Sequence, residues 1–181
     1  MRCARHAGSL LALLAGAVLA VGDAGAQTVN HGNVEIAVMD GIGIVSSEYD
    51  DATVIMTPVP PVWRLTFWTQ SALTVDFGFS FLTASEDEDN FTILNLETGV
   101  GANLAARDAK LVPFVGALGG LLTLDGGYDS ETNFYVGGQV GVKSFFRDYA
   151  AVRVQAGYRH VMLDDDDVGI IEIVGGLSFF L

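Results

Sequence analysis

One pattern repeats from about Asn33 to Leu181. Stretches of a dozen or more residues alternate apolar with small or polar side chains, and short polar breaks separate them. Leu73, Val75, Phe77, Phe79 and Phe81 share one parity; Thr74, Asp76, Gly78 and Ser80 share the other. A period of two puts one set on each face of a strand. Here the wholly apolar set suits lipid, and the small or polar set suits the inside of a closed barrel. Glycines recur inside these stretches (Gly99, Gly101, Gly116, Gly119, Gly120, Gly137, Gly138, Gly141). They argue against helices and fit strands that bend or enclose a tight interior.

The pattern predicts eight strands, at Asn33–Val45, Thr53–Trp68, Ala72–Thr83, Phe91–Ala105, Lys110–Leu124, Asn133–Phe146, Ala150–Met162 and Gly169–Leu181. The second contains Pro58, Pro60 and Pro61. Proline has no N–H for a ladder, so a break or bulge, or two shorter segments, is expected there. The breaks alternate in character. Ser46–Asp51, Ala84–Asn90, Asp125–Glu131 and Leu163–Val168 are acidic and longer; Thr69–Ser71, Ala106–Ala109 and Arg147–Tyr149 are tight turns. In a meander with a periplasmic N-terminus, the acidic set faces outward, which is the usual polarity of outer-membrane barrels.

Residues 1–26 read as a secretory signal peptide. Arg2, Arg5 and His6 precede an apolar run from Leu10 to Val21, and Ala24-Gly25-Ala26 supplies the cleavage site. That run is shorter than a spanning helix requires. Residues 27–181 then form one domain, the barrel. The sole cysteine, Cys3, lies in the leader, so no disulfide or thiol chemistry is expected in the mature chain. Without the leader the chain carries 21 acidic and seven basic residues, a formal charge of −14. Such a surface repels nucleic acid, whose binding needs Lys and Arg on phosphate.

Backbone groups in hydrocarbon must be paired within the protein, so only helices and closed barrels span it. The inferred lipid face comprises Trp63, Leu65, Phe67, Leu73, Val75, Phe77, Phe79, Phe81, Leu94, Leu96, Val100, Phe114, Leu118, Phe134, Val136, Val140, Val142, Val152, Val154, Tyr158, Ile171, Ile173, Leu177 and Phe179. Trp63, Phe67, Trp68 and Tyr149 form an expected periplasmic girdle. The opposite parity carries Glu35, Asp76, Glu97 and Glu172 against Arg64, Lys143, Arg153 and Arg159, with Asn95, Gln139 and Gln155. This balance is what a narrow interior needs, since buried charges cost several kcal/mol each unless paired. Eight strands leave a lumen filled by side chains. Asp40 falls on the lipid parity, and a bulge near Gly41 or Gly43 is the expected device to turn it inward.

The signal peptide, the alternating strands, the loop polarity and the last strand GIIEIVGGLSFFL together resemble the small outer-membrane β-barrels of the OmpA/OmpX type. The resemblance covers nearly the whole mature chain. It implies an all-β, eight-stranded, antiparallel transmembrane β-barrel with up-and-down meander topology. It also implies outer-membrane lipid and lipopolysaccharide as surroundings, a monomer, and recognition by the barrel-assembly machinery. Members typically end in an aromatic residue; this chain ends Phe179-Phe180-Leu181. No peptidoglycan-binding domain is expected after the barrel, so that activity of longer relatives is not implied.

Few residues suggest chemistry. Asp164, Asp165, Asp166 and Asp167 form a carboxylate run that is a candidate divalent cation site, although it lacks EF-hand spacing. The four acidic breaks hold 14 of the 21 mature acids. Such a ring attracts cations or cationic partners, and solubility of exposed loops explains it equally. His160 would need a serine beside it for a lipid A-modifying triad; no serine is near it in sequence, and Ser130 or Ser85 would have to approach from other breaks. No cofactor motif is present. The expected role is therefore structural or surface-interaction, without enzymatic activity. A narrow ion channel gated by the interior ion pairs, a lipid A-modifying enzyme and a soluble lipocalin-like barrel are the alternatives.

Overall fold

Strands that must satisfy every backbone group without water have one solution, closure of the sheet on itself. The computed structural model describes residues 34–47, 53–69, 72–86, 89–106, 109–125, 130–163 and 167–181. Residues 1–26, expected to be a signal peptide, lie outside the described residues. Eight strands follow in chain order: β1 Val34–Ser47, β2 Thr53–Trp68, β3 Leu73–Glu86, β4 Asp89–Asn103, β5 Leu111–Asp125, β6 Ser130–Arg147, β7 Ala150–Met162 and β8 Asp167–Phe180. Each pairs antiparallel with the next, and β1 pairs with β8, so the all-β meander closes.

Several strands run past the apolar alternation into the acidic breaks. β3 reaches Glu86, β4 starts at Asp89, β6 at Ser130 and β8 at Asp167. Ladder bonds need no apolar side chains, and threonine pairs cross these outer ends: Thr83 with Thr92 at 3.3 Å and Thr123 with Thr132 at 2.9 Å.

β2 is continuous through its prolines, and the disturbance lies in its pairing. Against β1 the register slips twice, between Met39 and Gly41 and between Gly41 and Gly43, each step placing an extra residue in β2. Against β3 the ladder runs only from Trp68 opposite Thr74 to Val62 opposite Ser80. Above that level, among the described residues, β2 pairs with β1 alone and β3 with β4 alone. Pro58, Pro60 and Pro61 remove three N–H donors from the stretch, so less unpaired polarity is left where the ladder ends. β1 itself keeps an unbroken register with β8. Asp40 therefore stays outward and exposed, its Oδ1 accepting the Gly41 N–H at 2.7 Å. The bulges belong to β2 and do not turn it inward.

Two further parities differ from expectation. Phe114 and Leu118 are buried in the lumen, while Val115 and Leu121 face outward. β5 is apolar on both faces, so its own residues do not reveal its inner side. Pairing decides: Gly120 sits opposite Glu97 and Tyr135, and Gly116 opposite Gln139, all inward. Trp68 also points inward, sharing parity with Arg64 and Thr66, whereas Trp63, Phe67 and Tyr149 remain outside. Inward glycines make the room these rings require. A Cβ on Gly141 would meet Phe114 Cζ at 2.6 Å.

Candidate functional site: the lumen

The lumen is layered along the barrel axis. Its end at the short turns is sealed by an apolar plug of Trp68, Val112, Phe145, Ala151 and Phe180. Phe180 meets Trp68 edge-on at 5.6 Å between centroids and Phe145 at 4.8 Å.

Glu35 stands on the plug, fully buried. Its carboxylate accepts from Lys143 Nζ at 2.5 Å, Ser178 Oγ at 2.8 Å, Arg153 at 3.1 Å and Trp68 Nε1 at 3.1 Å. Arg153 also donates Nε–H to Gln155 at 2.9 Å. Both cations lie near the Phe114 ring, Arg153 at 4.4 Å and Lys143 at 5.2 Å, and Lys143 lies 4.5 Å from the Trp68 ring. An aromatic face offsets part of the desolvation of a cation.

The next layer is polar without a direct ion pair among the described residues. Asp76 accepts from Thr66 Oγ1 at 2.5 Å and Gln139 Nε2 at 3.4 Å. Arg64 bridges upward, donating to Gln139 Oε1 and to Glu97 Oε1. Glu97 also accepts from Arg159 at 2.8 Å, and Arg159 donates its other nitrogen to Glu172. The Tyr135 hydroxyl lies 2.7 Å from Asn95 Oδ1 and 3.1 Å from Glu97 Oε2. All eight charged residues of the inner parity are buried, at 7% exposure or less, and four acids balance four bases. The structure joins seven of them in two ion-pair clusters and holds Asp76 between by neutral donors. Low effective dielectric makes such pairing compulsory and leaves no wide polar path.

Outside, Leu73, Phe77, Phe79, Phe81, Val100 and Phe134 are exposed at about 43 to 61% with no protein over them. A continuous apolar band on a closed barrel is the surface of a membrane-spanning protein. Neisserial surface protein A is similar in structure, with a TM-score of 0.65, 13% identity, and coverage of 87% of this chain and all of that one. OprG from Pseudomonas aeruginosa gives a TM-score of 0.57 at 9% identity, covering 86% of this chain and 99% of its own. The fold is that of the small outer-membrane β-barrels. Neither a protein-family model nor a curated protein sequence matches the chain. Its own apolar outer face, in concert with that fold, makes it an outer-membrane barrel.

The remaining candidates are the carboxylate run and His160. Asp164, Asp165 and Asp166 lie outside the described residues, and Asp167 opens β8. Among the described residues, no three His, Cys, Asp or Glu come together to hold a metal. His160 lies between Val136 and Gly169 with outward parity. Ser130 stands six residues beyond Val136 on β6, about 20 Å along a strand. Ser85 is on β3, four strands round the barrel from β7. Neither serine position is beside His160.

Sequence reasoning missed Trp68, Phe114, Tyr135 and Ser178 as lumen residues. Tyr135 shares parity with Gln139 and Lys143, Trp68 with Arg64, and Ser178 with Glu172, so strict parity would have found all three. No signal in β5 would have found Phe114.

Proposed function

We propose that the protein is a non-conducting outer-membrane barrel with a structural or surface-interaction role, displaying short acidic extracellular loops. The observation that carries this reading is the blocked inner part of the lumen: an apolar plug beneath two ion-pair clusters. A barrel so blocked offers its outer end to partners in place of a path through its centre. Four acidic connections sharing one end of a meander would attract cations or cationic partners there by long-range field. Divalent cations there would bridge to anionic lipopolysaccharide. The rest of the reading is a monomer without cofactor, delivered by a signal peptide and recognised through its last strand by the assembly machinery.

The test is planar-bilayer recording of the purified protein after its heat-dependent gel shift has shown it folded. Silence is expected, with polycation binding to intact cells falling when Asp164 to Asp167 are all changed to Asn. Steady conductance altered by Glu97→Gln or Arg153→Met would replace this reading by the ion channel. Altered lipid A mass spectra on overexpression would replace it by an enzyme.

A further inference from the structure

The described residues leave the outer part of the lumen unfilled. Above the Arg159–Glu172 pair lies a cavity of about 310 Å³, within the range of ligand pockets. Its walls are apolar, with Ile93, Leu122, Val161 and Ile170 among them, and polar groups, Tyr135 and Arg159 included, gather at its floor. Ordered water needs two to four polar partners, which the walls do not provide.

The cavity also reaches Val62 and Ser80. Among the described residues these are the last paired across β2 and β3, and no ladder joins the two strands beyond them. Val62 stands six residues above Trp68, about 20 Å along a strand and roughly 15 Å along the membrane normal at the usual tilt. The unpaired stretch therefore lies beside the outer-leaflet part of a ~25 Å apolar band. Trp63, Phe79 and Phe81 flank it on the lipid-facing side, so the seam is continuous with the surface that lipid tails already cover.

We propose that this cavity binds a single hydrocarbon chain, the acyl tail of an outer-leaflet lipid, admitted sideways through the β2–β3 seam. The site goes beyond the surface role above and does not depend on it.

Neighbouring residues supply internal controls. Ile170 and Leu122 line the cavity, while Ile171 and Leu121 face lipid. Deuterated, methyl-labelled protein in dimyristoylphosphatidylcholine nanodiscs should show cross-relaxation from acyl methylenes to Ile171 and Leu121, and equally to Ile170 and Leu122. Lipid signals confined to the outward pair overturn the proposal. In a second arm the lipid tails are deuterated and protonated decanol is added. Signals to Ile170 from decanol, with none from lipid tails in the first arm, would keep an apolar ligand but overturn the lateral source. Pro60→Thr with Pro61→Val restores two donors to β2 and should reduce the lipid signal at Ile170 several-fold. If that variant fails to fold, the wild-type comparison of inward and outward methyls still decides.

Discussion

Glu35 is the residue whose loss should be felt most. It is fully buried and pairs ionically with both Lys143 and Arg153, themselves 2% and 1% exposed. Glu35→Gln keeps the shape and removes the charge. Two cations would then share a dry layer whose next carboxylate, Asp76, is engaged by Thr66 and Gln139. Removing one partner of a buried pair costs about 3–5 kcal/mol, and that loss is expected here. Lys143→Met leaves Glu35 and Arg153 matched one to one, so it should cost less, about 1–3 kcal/mol. The double variant should fall short of the sum by about 0.5–3 kcal/mol, because each change relieves the charge stranded by the other. Urea unfolding in phospholipid vesicles, followed by tryptophan emission, measures all three. Trp68 reports locally, since its Nε1–H donates to Glu35 at 3.1 Å. A Glu35→Gln loss below about 1 kcal/mol, or strict additivity in the cycle, would refute the claim that the lower lumen is held by charge matching.

Other outcomes follow from packing and parity. Gly141→Ala should cost about 1–3 kcal/mol, because its Cβ would meet Phe114 Cζ at 2.6 Å and Gln155 Cβ at 2.8 Å. Gly138→Ala, facing outward with its nearest atom at 3.5 Å, should be neutral within about 0.5 kcal/mol; equal effects in urea unfolding would contradict the assigned faces. Spin labels on introduced cysteines at Val115 and Leu121 should be relaxed by lipid-dissolved oxygen, and labels at Phe114 and Leu118 should not. Asp40→Asn keeps the acceptor for Gly41 N–H and removes a carboxylate from the outer face, so stability in bilayers should rise by about 1 kcal/mol. A fall would show that the charge has a partner the outer face does not reveal.

Much of this arrangement is legible in the amino-acid order alone. Alternation in Leu73–Phe81 separates a lipid face from an inner face, because a strand turns successive side chains to opposite sides whatever its neighbours do. The same local rule places Glu35, Arg64, Asp76, Glu97, Lys143, Arg153, Arg159 and Glu172 on the inner parity of their strands, and all are buried. Prolines mark β2 as irregular, since a missing N–H is a property of the residue itself.

The rest depends on pairing between strands. β5 has no polar residue in its membrane-spanning middle to label a face, so only its register against Glu97 and Gln139 turns Phe114 and Leu118 inward. Parity cannot name partners either: Glu35 and Lys143 are 108 residues apart, and closure of the sheet brings them together. The seam above Val62 and the cavity beside it exist because β2 follows β1 and leaves β3. Side-chain direction is a one-strand property, and so the sequence by itself determined the strands and most of their faces. Contact across a barrel is a property of register and closure, which only the tertiary structure decided.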